Sequence, residues 1–283
     1  MLPTPEPLDF VRPTAILFDL DDTLFDHAGT ARAALATTAS HPEFRGLELE
    51  TLYQHYSELL EEMHPQVLAG QCTHEEARRL RFQRLLAPHR PGITATEAAH
   101  FAQQHYKHYQ RLRRPVAGAL PLLAALKPHY RIGIVTNNRT AEQEDKLQYL
   151  GMTPLVDALI TSEAVGVTKP HARIFETALA RLGCPAAEAV LVGDNWLADV
   201  VGALAVGIRP VWLNRFAGTR PLAHVPEITS LEPLADTWQT ITGQQLPADS
   251  DAGSHLRKTS AEAPATTGPS CVCWQETSNC PKP

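Results

Sequence analysis

The sequence is short of basic charge. Its 25 lysines and arginines stand against 31 aspartates and glutamates, a formal net charge of −6 over 283 residues. Such a chain has no basic field to draw a nucleic-acid polymer. Cysteine is scarce as well. Cys72, Cys184, Cys271, Cys273 and Cys280 make an odd count without framework spacing, which argues against a disulfide scaffold and for a reducing, cytoplasmic setting. No apolar run is long enough to cross a bilayer. The opening MLPTPEPLDFVRP has neither the basic start nor the apolar centre of a secretory leader.

The last stretch lacks core-forming residues. From about Gln244 the chain is rich in Pro, Ser, Thr, Ala and Gly, with Trp274 its one aromatic. Such a segment cannot bury enough apolar surface to offset its ordering entropy, so residues 244–283 are expected to form a disordered tail. Cys271, Cys273 and Cys280 have no second CxxC or histidine at zinc-ligand spacing, and a metal site there is not expected.

What is present suffices for a sizeable core with a smaller attached unit, at 43% hydrophobic residues. Short, continuously apolar runs at 15–18, 132–135, 158–160, 189–192 and 210–213 read as buried parallel strands. Helical stretches at 140–150, 170–182 and 197–206 lie between them. The alternation predicts an α/β fold, a Rossmann-like doubly wound parallel sheet with both faces covered. Residues 27–113 break the pattern. They hold no strand candidate, while Leu49, Leu52, Tyr56, Leu59, Leu60 and Met63, and later Ala98, Phe101, Ala102, His105, Tyr109 and Leu112, repeat with helical spacing. A helical cap is therefore expected at 27–113, inserted into a core made of 1–26 and 114–243. His100, His105 and His108 are read as surface or half-buried residues of that cap.

The strand ends carry the chemistry. "ILFDLDDTLFD" places Asp19 and Asp21 two residues apart at the end of the first strand, on one side of the chain. In open parallel sheets, sites lie beyond the carboxyl ends of the strands. The second strand ends in Thr136, Asn137 and Asn138, donors that suit an anion, or equally an ordinary capped turn. Lys169 precedes Pro170, which restricts it to an extended backbone and suits the first position of the next helix. A solvated loop lysine is the simpler alternative. Asp194 follows the fourth strand directly, and Asp199 lies five residues on, where helix-start preference also favours acids.

The ordered set, Asp-x-Asp-x-Thr, then Thr-Asn, then Lys-Pro, then Gly-Asp-x-x-x-x-Asp, resembles the four motifs of the haloacid dehalogenase superfamily. The insertion resembles the type 1 helical cap of its subfamily I. The text around "ITSEAVGVTKP" is similar to the branch of pyrimidine 5′-nucleotidase-like phosphatases. Four carboxylates facing a phosphate repel one another, by about 4 kcal/mol per pair at 4 Å near a protein surface. Lys169 alone does not balance them, but Mg2+ does, being small and oxygen-seeking. The resemblance implies Asp19 and Asp194 as metal ligands through their side chains and Asp21 through its backbone carbonyl. It also implies Asp19 as the nucleophile of an aspartyl-phosphate and Asp21 as acid, then base. Thr136, Asn137 and Lys169 would bind the phosphoryl group, with Asp199 and Thr23 in support. Asp22 and Asp26 are left as loop or helix-cap residues.

The expected substrate is a small phosphate monoester, with a nucleoside monophosphate the class that the branch suggests. The chain is expected to act as a monomer or weak homodimer. A 2-haloacid dehalogenase, a phospho-accepting receiver and an inactive ligand-binding module are the alternatives. The acid at Asp21 speaks against the first, and the order of acids along the strands against the second.

Overall fold

The computed structural model describes residues 11–247. The expected tail from 248 onward, with Cys271, Cys273 and Cys280, lies outside the described residues.

The first strand, β1 (Ala15–Phe18), is buried throughout. Its alternate residues serve different cores. Ile16 and Phe18 join one apolar cluster, and Ala15 and Leu17 another. β4 (Ala189–Gly193) divides in the same way, with Val190 and Val192 on one face and Ala189 and Leu191 on the other. Two-sided burial is why these strands read as unbroken apolar runs. With β2 (Arg131–Thr136), β3 (Ala158–Thr161), β5 (Arg209–Leu213) and the two-residue β6 (Glu227–Ile228), they form one parallel sheet in the order β3-β2-β1-β4-β5-β6. The strand order reverses between β1 and β4, the crevice where such sheets bind ligands.

Four helices make up the insertion after β1: α1 (His27–Thr38), α2 (Leu49–Leu68), α3 (His74–Leu86) and α4 (Ala95–Arg111). α2 and α4 carry the apolar spacing seen in the sequence. α3 and α4 each begin with a reciprocal capping box, Thr73 with Glu76 and Thr94 with Glu97. His105 does not lie at the surface or half-buried, as expected. It is 3% exposed, packed against Tyr56 and Phe82, while His100 is exposed and His108 half-buried. Tyr56, Phe82 and Tyr109 supply enough aromatic surface to enclose the ring.

The chain enters and leaves this insertion side by side. Val116 N–H donates to Leu24 O at 2.8 Å, and Asp26 N–H donates to Arg114 O at 3.1 Å. The Asp26 carboxylate then accepts from Arg114 Nε at 2.7 Å and from Arg215 Nη2 at 2.8 Å. Asp26 occupies the N-cap of α1 without capping it. Asp22, at φ 61°, does so instead, accepting from Ala28 N–H at 2.8 Å.

After β2 come α6 (Thr140–Tyr149), the short α7 (Ser162–Val165) and α8 (Ala172–Leu182), with α5 (Ala119–Leu126) preceding β2. Pro170 is not the first residue of a helix. α8 starts at Ala172, capped by His171, whose ring accepts from Arg173 N–H at 3.2 Å, so Pro170 belongs to the turn. The helix expected at 197–206 is π-helical over Trp196–Val201 and becomes α9 (Gly202–Ala205). α10 (Leu234–Thr242) closes the described chain. Among the described residues no helix is long and apolar enough to cross a membrane.

Candidate active site

Asp19, Asp194 and Asp199 converge at the carboxyl ends of β1 and β4. Each offers an oxygen, and these lie within 4.8 Å of one another. Asp19 follows β1 directly, and its N–H donates to Val192 O across the sheet at 2.9 Å. Asp194 follows β4, its carbonyl accepting from Trp212 Nε1 at 2.7 Å. Thr23 Oγ1 donates to Asp194 Oδ1 at 3.4 Å. Asp199 reaches back from the π-helical turn, where its Oδ2 accepts from Asn195 N–H at 3.0 Å. Only glycine fits at 193, because a Cβ there would collide with the Asp199 carboxyl group.

Lys169 ties the cluster together. Its Nζ donates to Asp19 Oδ1 at 2.6 Å, Asp199 Oδ1 at 2.6 Å and Val135 O at 2.8 Å, which commits all three ammonium protons. Asn137 fixes the backbone of Lys169 from both sides, accepting from its N–H at 2.7 Å and donating to its carbonyl at 3.1 Å. The Asn137 side chain thus sets the direction of Lys169.

Two carboxylates share the Lys169 ammonium with a third, Asp194, beside them, and the electrostatics follow. Burial raises Asp19 to about 7. Lys169 pulls it down, and Asp199 pushes it up. Burial, then Asp19 and Asp199, raise Asp194 to about 9. Burial opposes the charge on Lys169, but Asp19 and Asp199 outweigh it and hold the ammonium protonated. The donor set is all oxygen and carries surplus negative charge, as a small divalent cation requires. Mg2+ fits these residues, with Asp19 and Asp194 as side-chain donors and Asp199 within reach.

Asp21 is placed differently. Its carboxylate is held from helix α6 rather than by Lys169. It accepts from Lys146 Nζ at 2.6 Å and Gln143 Nε2 at 3.0 Å, both on α6. Burial raises its proton affinity, but Lys146, His27 and Gln143 more than reverse this and hold it well below the usual carboxylate range. Gln143 Nε2 also donates to Thr136 Oγ1 at 2.7 Å, which links Asp21 to the end of β2. Neither Lys146 nor Gln143 stood out in the sequence. Their spacing of three on one helix face after Thr136 was the available signal.

A cleft of about 620 Å³ lies between these strand ends and the helical insertion. Asp19, Asp21, Thr136, Asn137, Lys169, Asp194 and Asp199 all line it from the sheet, so the sequence-marked residues open onto one space. Thr23 is the exception, being fully buried behind Asp194. The insertion contributes tyrosines, histidines and arginines on the opposite side. The size suits a small metabolite.

The family model for haloacid dehalogenase-like hydrolases matches residues 13–207. The chain is 32% identical over 209 residues to a glyceraldehyde 3-phosphate phosphatase of Methanothermobacter thermautotrophicus, covering 71% of this chain and 85% of that protein. It is 37% identical over 133 residues to the pyrimidine 5′-nucleotidase YjjG of Escherichia coli, covering 47% of this chain and 55% of the relative. The fold is shared with the magnesium-bound hydrolase YfnB of Bacillus subtilis, at a TM-score of 0.67 and 24% identity over 80% of this chain and 99% of that one. The motifs, the sheet order and the matched span agree: this chain belongs to the haloacid dehalogenase-like hydrolases.

Proposed function

We propose that the protein hydrolyses a small phosphate monoester through a phosphorylated Asp19. The observation that carries this reading is the triple contact of Lys169 with Asp19, Asp199 and the Val135 carbonyl. It holds Asp19 Oδ1 in place at the crevice of the sheet. Asp19 Oδ2, with no hydrogen bond among the described residues, is left to attack phosphorus. In the first step a bond forms from Asp19 to phosphorus, the ester P–O bond breaks, and Asp21, which takes up a proton from water in the substrate complex against the pull of Lys146, gives that proton to the departing alkoxide. In the second, water attacks phosphorus, its proton passes to Asp21, and phosphate leaves Asp19. Thr136 and the backbone N–H of Asn137 are the proposed phosphoryl contacts.

Asp19 and Asp194, with the Asp21 carbonyl, would hold Mg2+, which when bound supplies charge neutralisation for the transferring group. Asp199 acts by orienting Lys169. Residues 27–113 form the cap, joined to the core at the paired crossings around Asp26 and Arg114. The named activities of the relatives support a sugar phosphate or nucleotide as the substrate class.

The experiment is single-turnover reaction with p-nitrophenyl phosphate in Mg2+. Wild-type protein should release nitrophenolate in a burst and yield an acid-stable phosphoprotein sensitive to hydroxylamine. Asp19→Asn should show neither. Nitrophenolate release by Asp19→Asn at the wild-type rate would overturn the mechanism.

A further inference from the structure

The insertion buries a cation that no carboxylate among the described residues neutralises. Arg81, on α3, is 7% exposed. Its Nη1 donates to Tyr56 Oη at 2.9 Å, and its guanidinium lies 5.0 Å from the centre of the Tyr56 ring. Its Nε is buried without any hydrogen-bond partner, and no carboxylate among the described residues forms an ion pair with it. Of the other three arginines on this helix, Arg84 meets the Glu62 carboxylate, Arg79 the Gln83 amide, and the half-buried Arg78 lies over the Tyr106 ring. A phenol and an aromatic face are polar neighbours, but they carry no negative charge. A buried charge without a counter-ion is costly, and such groups persist where something else supplies the opposite sign.

Arg81 lines the cleft that holds Asp19 and Lys169. Beside it sits His105, also cleft-lining, with Nε2 buried and unpartnered. Burial, then Arg81, hold His105 neutral, down to about 3, so the arginine is the charge-bearing group of the pair. Arg78 and His64 line the same wall.

We propose that Arg81, braced by Tyr56 and flanked by His105, is a subsite for a second, non-reacting anionic group of the substrate. This rests on the phosphatase reading and narrows it: the substrate is a phosphate monoester that bears a further phosphate or carboxylate. One anion sits at Asp19 and Lys169, the other on the insertion. Binding of the remote group then contributes to the reaction at the first. A guanidinium recognises either anion through charge-assisted hydrogen bonds.

The test uses the full chain with Mg2+ and three matched series of growing length. These are α,ω-alkanediol bisphosphates, the phospho-carboxylic acids of the same length, and the corresponding monophosphates. Wild-type kcat/KM should favour a member that carries the second anionic group over its monophosphate by about tenfold or more, the scale of one charge-assisted contact. A preference confined to bisphosphates assigns a phosphate to Arg81, and one shared by the acids includes carboxylate. In Arg81→Gln the ratio should fall toward one, and in Tyr56→Phe it should fall part of the way. A wild-type ratio near one at every length, or a ratio that survives in Arg81→Gln, would overturn the subsite. Where Arg81→Gln does not fold, the wild-type ratio alone decides. Absence of turnover with every ester, p-nitrophenyl phosphate included, would sink the phosphatase reading and the subsite with it.

Discussion

Lys146 Nζ lies 2.6 Å from Asp21 Oδ1, and this half-buried contact joins helix α6 to the residue two positions after Asp19, the proposed nucleophile. The lysine is 2% exposed and also faces the Phe25 ring at 5.1 Å. It holds Asp21 at the edge of the cleft and favours its carboxylate. In the proposed mechanism the same carboxyl group meets the leaving oxygen, which would make Lys146 a positioning residue for acid–base transfer.

Replacing Lys146 by Met should therefore mimic part of an Asp21 lesion. Asp21→Asn is expected to slow alkyl phosphates about 10²- to 10⁴-fold, and nitrophenyl phosphate far less, since an aryl oxide departs without a proton. Lys146→Met should slow the alkyl ester about tenfold more than the aryl ester, with Lys146→Arg recovering most of that gap. Rapid-quench phosphorylation rates for the two esters measure it. Equal losses for both would remove Asp21, and Lys146 behind it, from leaving-group protonation.

The metal prediction follows from the raised proton affinities of Asp19 and Asp194. Exhaustive chelation should abolish turnover, and Mg2+ should restore it. Mg2+ should also raise the melting temperature, because a ligand that binds only the folded state stabilises it. Asp194→Asn should need a higher Mg2+ concentration for half-maximal rate. Turnover that withstands chelation would remove the metal from the reaction.

How much of this was legible beforehand depended on where each residue sits. Asp19, Asp194 and Lys169 were readable because a buried strand ends at the first two, and a proline fixes the backbone after the third. Lys146 was not. It sits four residues after Glu142, the ordinary pattern of a solvent-facing helix, and the two are 4.0 Å apart. Only the fold reveals that Asp21 stands on its other side. The roles of Asp22 and Asp26 could not be apportioned either, because Arg114 and Arg215 come from distant segments. α1 is alanine-rich and α3 charge-rich, so neither showed the apolar stripe that marked α2 and α4. β6 has only two residues, too few for any periodicity.

His105 gives a pH prediction. Its folded value of about 3 lies below the ordinary 6.5. The unfolded chain therefore binds a proton that the folded protein refuses, and stability falls as pH drops from 6.5 toward 3. Between pH 7 and pH 5 this amounts to about 2 kcal/mol. Urea unfolding at the two pH values should show that loss in wild type and a smaller one in His105→Phe, whose ring suits the neighbouring aromatics. Identical losses in both proteins would place the acid sensitivity elsewhere.

Gly29 sits where the chain enters the insertion. A methyl group there would collide with the Asp26 carboxylate and the Arg114 guanidinium. Gly29→Ala should push the pair apart and destabilise the protein by about 1–3 kcal/mol, the usual penalty of overpacking. Denaturant titration measures this, and an unchanged midpoint would show that the crossing tolerates the extra volume.

The central position of β1 bears on the order in which the chain is assembled. Ala15 pairs with Arg131 on one side and with Ala189 on the other. Both partners are made long after β1 has been synthesised, whereas α1 to α4 pack against one another from nearby sequence. Contacts between distant segments form slowly, since a long loop must close before they are rewarded. The helical insertion can therefore reach its own packing while β1 still waits as an unpaired apolar strand. During translation the segment that carries the proposed nucleophile is thus made before both of its sheet partners and enclosed only once they arrive. The stretch around "ILFDLDD" is where a growing chain is most exposed to mispairing with its neighbours.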